Sequence, residues 1–154
     1  MKVYKLEYNQ TIHNKTLDEV FTFFSNPINL STITPKKLKF NILTPSTIKM
    51  QKGQLIDYTI NLLGKEVRWK TLISEYSPPH YFIDQQLNGP YSFWHHKHIF
   101  QKYNNGVHIK DIIHYAIPLG PIGRLINYLW VENDLNNIFK YRYEVINKIF
   151  NNKG

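Results

Sequence analysis

The sequence predicts an α+β domain over residues 1–154: an antiparallel sheet of about seven strands, two short helices after the first strand, and one long C-terminal helix over the sheet. Three observations carry this. Segments of period-two alternation follow one another, each closed by Gly, Pro or Asn. Asn104-Asn105-Gly106 joins two of them and holds the strongest short hairpin signal, Asn-Gly. After Pro121 the apolar spacing changes to three and four, the mark of an amphipathic helix.

The elements follow in order. "KVYKLEYNQTIH" alternates and opens the sheet. In "NKTLDEVFTFFSNP", Thr16 and Glu19 form a capping box, and Leu17, Val20, Phe21 and Phe24 repeat at helical spacing. Asn26-Pro27 starts a second short helix, which Pro35 ends. "KLKFNIL", "QLIDYTINL", "EVRWKTLISEY", "HYFIDQQL", "YSFWHHKHIFQKY" and "VHIKDIIHYAI" read as six further strands. The terminal helix carries an apolar stripe through Ile122, Leu125, Ile126, Leu129, Leu135, Ile138, Phe139, Arg142, Ile146 and Ile149, and frays at "NNKG". It is the one element long enough to cover the face that such a meander must bury.

Composition narrows the function classes. With no cysteine, disulfides, zinc-thiolate sites and thiol nucleophiles are excluded. Aromatic residues make up 15% of the chain, more than a plain core needs, which fits the lining of a ligand cavity. The net charge of +8 permits an anionic ligand or membrane surface. The lysines are scattered, with Lys36, Lys37 and Lys39 the one tight group, so no nucleic-acid partner is expected. The N-terminus lacks a signal-peptide apolar region, and no apolar run has the length of a membrane span. The expectation is a soluble, cytoplasmic protein, monomeric or homodimeric.

The residues "FIDQQLNGPYSFWHHKHIF", "DIIHYAIPLGPIGRL" and "LNNIFKYR", with "VRWKTLISEYSPPHYF" upstream, resemble the START/birch-pollen-allergen (SRPBCC) superfamily, and its polyketide cyclase/dehydrase-type branch in particular. That resemblance implies a helix-grip fold, in which a curved sheet grips the long helix around an apolar cavity. It also implies binding of a hydrophobic small molecule such as a lipid, isoprenoid, quinone or polyaromatic compound. Some such proteins catalyse cyclisation or dehydration. A cofactor-free cyclase or dehydratase is therefore one alternative function, and a non-catalytic interaction or stress-response domain another.

Strand parity places candidate residues at that cavity. Trp94, His96, His98 and Phe100 share one face of their strand, and His95 lies on the other. A two-residue turn at Asn105-Gly106 sets His98 opposite Ile113, His96 opposite Tyr115, Trp94 opposite Ile117 and Phe100 opposite Asp111. Phe82, Asp84 and Gln86, then Trp69 and Thr71, add rows by the same parity. Three readings of the polar group stay open. It is a structural hydrogen-bonded network, an acid–base site using His96 or His98 with Asp84 or Asp111, or a metal site of His96 and His98 with Asp111. No metal or cofactor and no catalytic residue is assigned. Ile122 and Ile126 are expected on the helix wall. Leu62 and Leu63, Gly89 and Pro90, and Leu119 are expected as a gate, which also allows transient membrane contact.

Overall fold

The structure, a computed structural model, describes residues 1–45 and 47–151. Seven strands form one antiparallel sheet: β1 (Tyr4–Ile12), β2 (Asn41–Ile42), β3 (Leu55–Leu62), β4 (Lys65–Ser77), β5 (Tyr81–Asn88), β6 (Phe93–Tyr103) and β7 (Gly106–Ala116). Their order is β1-β7-β6-β5-β4-β3-β2, so the first strand closes the far edge beside the last. Register shifts between β4 and β5, at Lys70/Thr71 and Ile73/Glu75, bend the sheet as bulges do. Helices α1 (Leu17–Phe24) and α2 (Pro27–Thr32) follow β1. The Thr16 hydroxyl accepts from Glu19 N at 3.1 Å, while Glu19 Oε2 accepts from Thr16 N at 2.8 Å, the expected capping box. The architecture is the expected helix-grip fold.

The terminal helix runs over residues 120–151 as α3 (Gly120–Ile126), a wide turn (Asn127–Val131), α4 (Glu132–Ile146) and a second wide turn (Asn147–Asn151). Its buried stripe is Gly123, Asn127, Leu135, Phe139, Arg142, Ile146 and Phe150. A spacing of four drifts around an α-helix, and π-type turns of more than four residues absorb the drift. This shifts the phase of the stripe from the expected one. Ile122 is 63% exposed, and Leu125, Leu129 and Ile149 are exposed as well. The part of "NNKG" beyond Asn151 lies outside the described residues.

Two further expectations are corrected. "KLKFNIL" is a short 3₁₀ turn, Lys36–Leu38, followed by the two-residue β2, because Lys39 takes a left-handed conformation (φ 45°) that breaks the strand. The β6–β7 turn is Asn104-Asn105, with Tyr103 opposite Gly106. Asn104 supplies the positive φ of 51°. Gly106 is needed for a different reason: a Cβ there would lie 2.0 Å from the Ile12 carbonyl oxygen of β1. His98 therefore pairs with Asp111, His96 with Ile113, Trp94 with Tyr115 and Phe100 with Ile109. The slip is two residues, so every side chain keeps its expected face.

Candidate functional site

A cavity of about 190 Å³ lies between β3–β6, the two short helices and α4. Trp69, Tyr58, Tyr91 and Trp94 form one wall, with Trp69 and Trp94 edge to face at 5.3 Å. Phe24, Leu30 and Ile33 line it from the short helices, and Leu135, Ile138 and Phe139 from α4. Asp84, His96, His98 and Arg142 are polar or charged groups in the lining, clustered at one place.

The cluster follows from the register. Asp84 of β5 sits opposite His96 of β6, and Asp111 of β7 sits opposite His98. The side chains cross to diagonal partners. His96 Nε2 is 2.7 Å from Asp111 Oδ1, and His98 Nε2 is 2.5 Å from Asp84 Oδ2. Each ring nitrogen facing an ionised carboxylate oxygen must be the donor. The two imidazoles stack with centroids 3.6 Å apart, and Phe82 stacks on His98 at 4.1 Å. His98 Nδ1 is 3.2 Å from Asp111 Oδ1 without the alignment of a hydrogen bond. The Arg142 guanidinium lies 3.9 Å from the same oxygen and over the rings of Phe24 and Phe139.

Two imidazoles in van der Waals contact do not both hold a charge in so dry a place. Burial, with the neighbouring His98, pushes His96 down to about 4 in spite of Asp111. Burial also acts to lower His98, but the two carboxylates, Asp111 close to Nδ1 and Asp84 hydrogen-bonded to Nε2, overrule it and raise that imidazole. Burial acts to raise both carboxylates. His98 reverses this at Asp84, and Arg142 with both histidines holds Asp111 well below the usual carboxylate range. With His96 neutral and His98 protonated, the cluster of Asp84, Asp111, His98 and Arg142 sums to zero charge.

Of the expected site residues, Trp69, Thr71, Phe82, Asp84, Trp94, His96 and His98 line the cavity, and so does Leu62. The others stand elsewhere. Gln86 is taken up by the turn: its Nε2 donates to Tyr91 O at 2.7 Å and its Oε1 accepts from Tyr91 N at 3.1 Å. Gly89 lets that amide in, since a Cβ would meet Gln86 Oε1 at 2.5 Å. Gly89 and Pro90 thus shape the loop that brings Tyr91 to the cavity. Phe100 packs under α1 against Phe21. Asp111 sits behind the histidines, and Ile113 and Tyr115 are fully buried beneath α4. Ile122, Ile126, Leu63 and Leu119 are outside the lining. The helix wall is instead Leu135, Ile138, Phe139 and Arg142, further along the helix. Arg142 carried a signal, an arginine inside an apolar stripe; Tyr58 and Tyr91 carried none beyond strand parity and a turn.

No family model and no curated protein matches the chain. Its fold is that of known helix-grip proteins. Over 96% of each chain it is similar to the ZhuI aromatase/cyclase from Streptomyces sp. R1128, with 13% identity and a TM-score of 0.69. It is also similar to major latex-like protein 151 from Panax ginseng (11% identity, 96% and 97% of the two chains, TM-score 0.64) and to the protein TTHA0849 from Thermus thermophilus (12%, 93% and 97%, TM-score 0.71). Such identities show the fold alone. Among the described residues no helix is long and apolar enough to cross a membrane.

Proposed function

We propose that the protein binds a compact hydrophobic molecule in this cavity, with the polar cluster orienting one end of it. The carrying observation is the composition of the lining: aromatic and aliphatic walls with one buried charged cluster. This is the usual form of a small-molecule site. At about 190 Å³ the cavity is smaller than the roughly 300–1,000 Å³ of drug-sized sites, which favours a ring system over a long lipid chain. Two of the three tryptophans, Trp69 and Trp94, line the cavity and Trp130 stands outside it, so a bound aromatic should quench more than half of the emission. Native mass spectrometry of the freshly purified protein, with extraction and identification of what leaves it, tests the reading. A stoichiometric apolar mass supports it. Bare polypeptide mass together with no tryptophan response to small aromatic compounds overturns it.

A second reading, acid–base turnover of the bound molecule, is favoured by one observation: two stacked imidazoles, each against a carboxylate, whose surroundings push one down and the other up. Under it, His96→Gln removes turnover and keeps binding. Under simple carriage there is no turnover to remove. The fold similarity to an aromatase/cyclase and to a latex-like protein is compatible with either.

A further inference from the structure

The polar cluster has a property that neither carriage nor a hydrogen-bonded network requires. Each imidazole turns one nitrogen toward Asp84 and the other toward Asp111. Asp84 Oδ2 lies 3.7 Å from His96 Nδ1 and 2.5 Å from His98 Nε2. On the opposite side, Asp111 Oδ1 lies 2.7 Å from His96 Nε2 and 3.2 Å from His98 Nδ1. One carboxylate oxygen thus faces the inner nitrogen of both rings, and a second carboxylate faces both outer ones.

We propose that Asp84, His96 and His98 form a binding site for a divalent first-row transition metal, with Asp111 as the carboxylate that orients both imidazoles. The candidate donor atoms of the three residues lie within 4.8 Å of one another. Two histidines and one carboxylate bind such ions through neutral imidazole nitrogens and leave coordination positions open. A ligating imidazole almost always donates its other N–H to a carboxylate or carbonyl. Here both rings have that acceptor in place, shared on a single oxygen that Arg142 keeps ionised at 3.9 Å. His98 Nδ1, buried without a hydrogen bond, gains a role as the second donor to Asp111 once the ring is held from its other side. The open positions face the cavity, because all three ligands line it.

Metal–ligand bonds of about 2.0–2.2 Å require the donor atoms to stand about 3 Å apart or slightly more. Asp84 must therefore move away from His98 and toward His96. It has that freedom, since its side chain is 19% exposed while the imidazoles are packed in place. In charge terms the ion replaces the proton that now joins His98 to Asp84. Two carboxylates, one guanidinium and a dication sum to +1. An anionic oxygen at the open position, from hydroxide or from the cavity's occupant, restores neutrality. The site stands independently of the carrier reading, since it needs only side chains of β5, β6 and β7.

The test is titration of the chelator-treated protein with Zn²⁺ by calorimetry and with Co²⁺ by visible absorption. One equivalent should bind, with the intense Co²⁺ band of a four- or five-coordinate site. Asp84→Asn should weaken binding at least a hundredfold, and Asp111→Asn about 10–100-fold through loss of the negative charge that orients and polarises both imidazoles. His95→Gln, on the outer face beside His114, should change nothing. Failure of the wild-type chain to bind one equivalent overturns the proposal without reference to any variant. So does binding that His95→Gln abolishes, which would place the ion on the outer histidines.

Discussion

The two ends of the sheet meet the same helix in opposite ways. Over β1 and β7 the contact is closed. Ile113, Tyr115 and Ala116 have no exposure, and Tyr8 stacks on Phe139 at 4.2 Å. Polar anchors fix the helix along its length: Tyr115 donates to Asn127 Oδ1 at 2.7 Å, Gln10 Nε2 to Tyr143 O at 2.9 Å, and Asn151 Nδ2 to Thr11 O at 3.1 Å. Over β3 to β5 the bulged sheet stands away from the helix and leaves the cavity. The difference teaches how a small protein keeps a void. Directional bonds at one edge set the height of the helix, so apolar attraction at the other edge cannot collapse it.

The strongest way to break this comparison is to cut one side at a time. Asp111→Ala leaves Arg142 and two imidazoles buried without their shared acceptor and should cost about 3–5 kcal/mol by urea unfolding. Phe100→Ala, in the filled core under α1 away from the cavity, should cost about 3–5 kcal/mol through the new void. Ile138→Ala, half-buried on the cavity wall, merges with space already present and should cost under about 2 kcal/mol. Equal costs for Phe100→Ala and Ile138→Ala would mean that the cavity wall is packed as tightly as the filled core.

Acid should sharpen the same contrast in chelator-treated protein. His96 stays neutral in the fold down to about 4, against 6.5 when unfolded. As pH falls through that window the unfolded chain binds a proton that the native one refuses, so stability drops, on the order of 3 kcal/mol in all. Below it, Asp84 and Asp111, both lowered from 3.8, lose their share as well. His98 has the opposite sign. Its raised value adds stability that is complete below 6.5 and is lost as pH rises through the folded value. Stability should therefore peak near pH 6.5, and His96→Gln should remove the slope between 4 and 6.5 in a urea-midpoint series.

How far the sequence led differs between the two sides for a physical reason. Strand parity placed Trp69, Phe82, Asp84, Trp94, His96 and His98 on the right face, since a period of two survives a register slip of two. The same slip defeated the pairing: the Asn-Gly signal belongs here to a turn one residue earlier, and Gly106 answers to Ile12 of another strand. Helical phase was less forgiving. The wide turn at Asn127–Val131 rotates the stripe, so Ile122 and Ile126 missed the wall that Ile138 and Arg142 form. Asp111 and Tyr115 had the right parity, but depth behind a neighbour is not a property of one strand. On the closed side, Tyr115→Phe should cost about 1–3 kcal/mol, because Asn127 then keeps a buried acceptor without its donor.

The smallest effect should come from the rim, and its sign is informative. Leu62 pairs with Lys65, so Leu63-Gly64 is a two-residue turn with φ of 51° and 79°. That geometry favours Asn-Gly, and a leucine in the left-handed region costs roughly 1 kcal/mol. Leu63 is also 103% exposed, so it recovers nothing by burial. Leu119 repeats the pattern at φ 77°, and the antiparallel order puts its loop at the same end of the sheet. Leu63→Asn should therefore stabilise the protein by about 0.5–1 kcal/mol. If these leucines serve as a gate, the same variant should release a bound naphthalene probe several-fold faster in stopped-flow displacement. A stabilised variant with unchanged release would separate the two properties and remove Leu63 from the gate.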